Sequence, residues 1–355
     1  MTTSNTRDFH DNRPGALIAA LPAVLGFTPE SSLVLATLQD GAMGCVMRAD
    51  LSEELIVTVE EIADLAVGSG SDTAMAVIVD ADGAACRMCD DEHRRLADAL
   101  ASALENRGID LAEAYVVDRV CAGGRWHCAD GCGRSGTVDD PCASPVTAEA
   151  VLGGRRLYGT RAELLEVITV TDPARVLALR AAIASAASSR GAEREDADTR
   201  ADVEHAIATA AATRRGRWPS DADLTRIAGA LSDPRVRDML YALAVGCDAA
   251  EAESLWALLA RTLPDRWRVD ALALLAFSAY ARGDGPLAGI ALEAALRVDS
   301  GHRMARMLDQ ALRTGMRPEQ IRELARSGYR LAQQLGVTLP PRSLFGTRGA
   351  RPSRP

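Results

Sequence analysis

Apolar residues first recur at helical spacing at Leu17, Ile18, Leu21, Val24 and Leu25, which predicts a short helix with one buried face. Gly26, free to take positive φ, is its expected stop, and Pro22, which removes a backbone donor, is expected to kink or divide it. After the turn Thr28-Pro29-Glu30-Ser31, residues 32–38 are too few for a core helix and rich enough in branched side chains for a buried strand. A helix feeding directly into a central strand predicts the nucleus of an α/β layer. Asp40-Gly41 reads as a hairpin turn into a second strand at 44–50. Ser52 is the expected cap of a helix whose Leu55, Ile56, Val59, Ile62, Ala63 and Ala66 share a face. Residues 74–79 predict a buried strand that leads to the acidic turn Asp80-Ala-Asp82-Gly83. Leu96, Ala97, Leu100, Ala103 and Leu104 mark a helix stopping at Gly108, and residues 114–120 give another strand. Such alternation predicts a mixed α/β sheet with helices packed on it.

The pattern changes near Val170. Thr171-Asp172-Pro173 is a helix start, after which the chain is alanine-rich and charged as far as Arg217. Ser220-Asp-Ala-Asp-Leu caps a further helix, and helical periodicity persists to about Leu335. Residues 271–304 resemble a tetratricopeptide repeat: Ala276 in a first helix, Gly283-Asp284 at the turn, and Ala288, Ala295 and Leu296 in a second. Ala279 at a usual tyrosine position and Ser300 at a usual proline depart from that pattern. Turns at Gly246 and Gly315 suggest flanking helical hairpins, and a plain α-bundle is the alternative. The expected organisation is a disordered 1–13, an α/β domain over 14–170, a charged helical linker over 171–217, an all-α, repeat-like domain over 218–336, and a disordered, arginine- and proline-rich tail over 337–355.

The run Val24-Leu25-Gly26-Phe27-Thr28-Pro29-Glu30-Ser31-Ser32-Leu33-Val34 resembles the opening signature of the bacterial family called domain of unknown function 4192. Residues 126–132, the turn Tyr158-Gly159-Thr160-Arg161, and Arg235-Val236-Arg237-Asp238 resemble that family too. The resemblance spans 14 to about 330. It implies that Gly26, Phe27, Pro29, Ser32, Trp126, Arg161, Arg235, Arg237 and Asp238 are family positions, and it implies no activity.

A net charge of -9 argues against a surface devoted to nucleic acid or anionic membrane. All 40 basic residues are arginine. Without lysine the chain cannot carry a Walker-type phosphate loop, a Schiff-base lysine or the lysine of a kinase fold. No basic start with an apolar core marks a signal peptide, and no apolar run reaches the roughly 18 residues that span a bilayer, so a cytoplasmic protein is expected. Its eight cysteines are then expected as thiols or ligands more often than as disulfides.

The segment Trp126-His127-Cys128-Ala-Asp130-Gly-Cys132, with Cys142 ten residues on, is the candidate site. Thiolates and imidazole at such spacing can close a tetrahedral zinc site, with Cys128, Cys132 and Cys142 as candidate ligands and Cys86-x2-Cys89 as a second pair. His127 is the less suitable ligand, because consecutive residues in an extended strand face opposite ways. Small buried thiols in a glycine-rich loop are the plainer alternative. Gly131-Cys-Gly133-Arg-Ser-Gly136 spells the dinucleotide fingerprint, but Thr137-Val-Asp-Asp-Pro141 follows, so no helix opens to meet a pyrophosphate. No Gly-x-Ser-x-Gly or His-Glu-x-x-His occurs. His10, His93, His205 and His302 read as surface or helix residues, and Asp80 and Asp82 as a solvated turn at a strand end. In Arg214-Arg-Gly-Arg217-Trp218 the arginines complement a helix end and the tryptophan is expected to pack at the turn.

Two functions fit these features. One is a cytoplasmic binding or regulatory protein whose helical half holds a protein or peptide. The other is an enzyme or small-molecule sensor with its site on the α/β half near Asp80, Trp126 and the cysteines, with zinc as the cofactor the thiols admit. Catalysis is the less expected of the two; a membrane or nucleic-acid partner is not expected.

Overall fold

The computed structural model describes residues 13–39, 42–52, 54–152, 155–189 and 194–343. Residues 1–12, the turn residues Asp40 and Gly41, residues 190–193 of the expected linker and residues 344–355 of the expected tail lie outside the described residues, as does His10. The chain divides into two compact units, one holding the described residues up to Leu164 with Ala311–Gly315, the other Leu165–Gln310 with the residues from Met316 on.

The first unit opens with α1 (Pro14–Leu25), closed by Gly26 at φ 77° with its amide on the Pro22 carbonyl at 2.9 Å. The helix continues through Pro22, which therefore does not divide it. A six-stranded sheet follows in the order β2-β1-β3-β4-β5-β6, from β1 (Ser32–Gln39), β2 (Ala42–Asp50), β3 (Thr73–Val79), β4 (Asp110–Val117), β5 (Arg125–Cys128) and β6 (Ser135–Thr137). Within this sheet β3 and β4 pair in parallel, joined by α3 (Arg87–Glu105) as a βαβ unit, and the other described neighbours are antiparallel. The expected mixed α/β layer is therefore present. Its fourth strand begins and ends earlier than residues 114–120.

Alternation along the strands gives the sheet two buried faces. Leu33, Leu35, Ala76, Ile78 and Val116 form one core with Leu55, Val59, Ala63 and Ala66 of α2 (Leu55–Val67) and Leu96, Leu100 and Leu104 of α3. Ile56 is exposed, and Glu54, not Ser52, precedes the first turn of α2 without a side-chain cap. Val34, Ala36, Val77, Val79, Tyr115 and Val117 are buried on the opposite face. α1 packs with β6, a 3-10 turn at Pro141–Ala143 and α4 (Pro145–Leu152). The short α5 (Arg161–Glu166) follows.

The second unit is all helical: α6 (Pro173–Ser189), α7 (Asp196–Thr213), α8 (Asp221–Ala230), α9 (Pro234–Leu240), α10 (Ala249–Thr262), α11 (Asp265–Arg282), α12 (Gly285–Val298), most of α13 (Arg303–Arg313), and α14 (Pro318–Gln334). The charged stretch before Arg217 supplies α7, whose Val203, Ala206 and Ala210 are buried against α8, α9 and α10. Every residue of α11 from Ala271 to Ala281 is buried, a stretch that carries no charge and Ser278 as a polar member. α11 turns back into α12 through Gly283 at φ 86° and Asp284, which accepts the Leu287 amide at 3.1 Å; Ala276, Ala288 and Ala295 are fully buried. Trp218 is exposed (66%) and does not pack at its turn.

Candidate functional site

The parallel strands β3 and β4 end side by side, with the Asp80 amide on the Val117 carbonyl at 2.9 Å. The segments beyond these two strand ends carry the chemistry. After β3 the chain turns through Asp80–Gly83 into α3; after β4 it returns as β5 and leaves the sheet through Cys128-Ala-Asp130-Gly-Cys132.

Asp80 is the most fully bonded group of the first turn. Its Oδ1 accepts the Asp82 and Gly83 amides at 3.2 and 2.9 Å, and its Oδ2 lies 2.9 Å from His93 Nε2. Burial alone would raise the carboxyl, but the Gly83 amide, His93 and the Asp82 amide outweigh it and hold Asp80 below the usual carboxylate range. Gly83 is obligatory here, since a Cβ would stand 2.1 Å from Asp80 Oδ2. His93 is a helix residue of α3, as one of the two expected readings has it, but it is buried, with its Nδ1 unpartnered. This pair links a strand end to a helix 13 residues on, and no local pattern announces it.

The loop after β5 gathers three ligand-type side chains. The sulfur of Cys128, one carboxylate oxygen of Asp130 and the sulfur of Cys132 all lie within 4.8 Å of one another, with Cys128 buried and the other two exposed. Asp130 Oδ1 accepts the Cys132 amide at 2.9 Å, and that bond with the Cys132 thiol draws Asp130 below its ordinary value. Burial first, then the adjacent Cys132 sulfur, push the Cys128 thiol up to about 11. Arg134 pulls the other way on Cys128, and lies 3.3 Å from Glu113. Arg94 of α3 covers the loop, its guanidinium 2.7 Å from where a Gly131 Cβ would be. Gly131 and Gly133 hold φ of 74° and 83°, which let the chain curl.

Trp126 anchors this loop from the strand. Its indole donates to the Thr137 carbonyl at 3.2 Å, meets Tyr115 edge-on with centroids 5.3 Å apart, and lies against Gly136. His127, between Trp126 and Cys128, faces away from both and sits 3.6 Å from Asp90. Cys142 is exposed in the 3-10 turn, its amide on Asp140, and is not one of the three converging groups; nor are Cys86 and Cys89. The fingerprint-like glycines end in β6, and no helix opens there.

Several of the other singled-out residues are held within the fold. Phe27 is buried and pairs with Tyr158, whose amide donates to Gly26 at 2.8 Å, so two of the sequence segments meet. Pro29 is buried, Ser32 is fully buried at the start of β1, and Arg161 is the exposed first residue of α5. In the second unit Arg235 reaches Asp196 and Thr199 of α7, each at 2.8 Å. Arg237 pairs with Asp270 at 2.6 Å, and His302 meets the same carboxylate at 3.0 Å. Asp238 is exposed on α9.

Residues 14–319 match the profile of one protein family, described as Domain of unknown function (DUF4192). No curated protein and no solved structure matches the chain. Among the described residues no helix is long and apolar enough to cross a membrane.

Proposed function

Taking as premise that the chain belongs to the DUF4192 family, we propose that its α/β unit is a metal-dependent binding module in which Cys128, Asp130 and Cys132 hold one thiophilic divalent cation, zinc by the chemistry of the donors. The observation that carries this reading is the convergence of two sulfurs and a carboxylate oxygen within 4.8 Å of one another. Soft thiolates favour zinc over magnesium or calcium, which take oxygen shells. Two thiolates and a carboxylate carry three negative charges, more than a divalent ion cancels, and Arg134 and Arg94 beside the loop supply compensating charge. In the metal-free protein the Cys128 thiol holds its proton, so metal uptake releases protons and strengthens as pH rises. Three protein donors leave a fourth tetrahedral position open to water or a small ligand, as a sensor or an enzyme requires.

The test is metal content of the full chain after equilibration with zinc under reducing conditions and dialysis. About one zinc per chain is expected for a single site. Loss of that zinc in Cys128→Ser and in Cys132→Ser supports the assignment; a metal-free parent protein overturns it.

A second reading gives the helical unit a protein or peptide partner, held in the manner of a tetratricopeptide-like hairpin. Support comes from the α11–α12 hairpin and from the exposed apolar side chains Met307, Met316 and Leu324 beyond it. Replacing Met307 and Leu324 by Asp should abolish retention of any protein that the parent chain captures. Unchanged capture contradicts this reading.

A further inference from the structure

Outside the Cys128–Cys132 loop, two further thiols share one helical turn. Cys86 is the residue before α3 in extended conformation, at φ -99° and ψ 115°, and Cys89 is the third residue of the helix. Three residues of helical rise at about 1.5 Å each, over most of a turn, put their backbones about 5 Å apart, inside the range a disulfide spans. Both side chains are half-buried, and the Asp90 amide donates to the Cys86 carbonyl at 3.1 Å, so Cys86 already sits on the first turn of the helix that carries Cys89. We propose that Cys86 and Cys89 form a reversible dithiol–disulfide couple, with Cys86 the attacking thiol and Cys89 the resolving one, served by a low-molecular-weight disulfide.

The surroundings divide these roles. No full capping hydrogen bond closes on the Cys86 side chain, yet the Cys89 amide, the Cys89 thiol and the Met88 amide together hold Cys86 below the ordinary cysteine value. The N-terminal end of a 19-residue helix favours the same negative charge. Donation to Cys86 and then burial push Cys89 up to about 11, which keeps it protonated until a mixed disulfide forms. In the first step the Cys86 thiolate attacks one sulfur of the small disulfide, a new sulfur–sulfur bond forms, and one small thiolate leaves with the electron pair. In the second, Cys89 gives its proton to solvent and attacks Cys86 Sγ, expelling the second small thiolate. Two electrons pass from the protein pair to the small disulfide, which ends as two thiols. The couple does not depend on a metal at the neighbouring loop, because neither sulfur is among the converging donors there.

The test uses the reduced full chain, with oxidised glutathione as the probe. Trypsin cuts after Arg87, between the two cysteines, so an internal bond leaves the peptide ending at Arg87 joined to the one that begins at Met88. The joined pair is expected, with a mass lower by two hydrogens than the separate peptides, and thiol reductant should part it. Cys89→Ser should stop at a glutathione adduct on Cys86. Brief alkylation of the parent protein at pH 7, with each peptide measured separately, should label Cys86 several-fold faster than the exposed Cys142. Equal labelling rates, or glutathione disulfide that leaves the two peptides apart, would overturn the proposal.

Discussion

Gly136→Ala tests how the strand pair holds the thiol loop. A Cβ at this position would stand 2.9 Å from Trp126 Cζ2 and 3.0 Å from its Cε2 and Nε1. The indole cannot simply retreat: it is buried, bonded to the Thr137 carbonyl and braced on Tyr115. Overpacking of this kind costs about 1–3 kcal/mol. If the ring turns away instead, the indole hydrogen bond adds about 0.5–1.5 kcal/mol. A loss of about 1.5–4.5 kcal/mol is therefore expected when both terms act. Because Trp126 and Cys128 lie on the same face of β5, the shift should also disturb the thiol group. Equilibrium urea unfolding followed by circular dichroism measures the loss. The decisive comparison repeats Gly136→Ala in a Trp126→Leu background, where the ring is gone and the cost should fall below about 1 kcal/mol. An equal cost in both backgrounds would refute the close approach of ring and glycine.

Two further predictions concern the remaining supports. The lowered Asp80 carboxyl contributes stability that is fully present above the unfolded carboxylate value of about 4 and is lost as pH falls through its lower folded value. The stability gap between the parent protein and Asp80→Asn should thus be constant from neutral to mildly acidic pH and shrink below it; a gap that stays flat through strong acid contradicts the account. Ala288→Leu, at a fully buried position of the α11–α12 hairpin, should overpack it and cost about 1–3 kcal/mol in unfolding free energy, and an unchanged unfolding midpoint counts against that contact.

Where a signal was local, the residues announced the structure. Gly26 had to take positive φ to end α1, and Gly283-Asp284 supplied both a left-handed residue and a cap for the turn into α12. The short, continuous apolar runs of β1 and β3 likewise marked buried strands. Contacts that depended on partners distant in sequence were hidden. His93 gave no sign of Asp80, and β5 and β6, with four and three residues, are too short for a periodicity to register. The cysteine spacing pointed to Cys128 and Cys132, whereas Asp130 joins them only because its own bond to the Cys132 amide folds the loop back. Cys142 was drawn in by proximity in sequence, but Asp140 and Pro141 commit it to a separate turn. Trp218 and Ser52 failed for the converse reason, since each matched a local rule that the surrounding packing does not use.

The central claim, a thiolate-ligated metal on the α/β unit, is met most directly by the optical spectrum of the full chain loaded with cobalt(II) in place of zinc. Coordination by Cys128 and Cys132 predicts intense near-ultraviolet sulfur-to-metal charge-transfer bands, with visible bands of a tetrahedral ion, saturating at about one cobalt per chain. Both sets should vanish in the Cys128→Ser, Cys132→Ser double variant. Cobalt that binds without charge-transfer bands, or bands that survive the double substitution, would contradict the assignment of these two sulfurs.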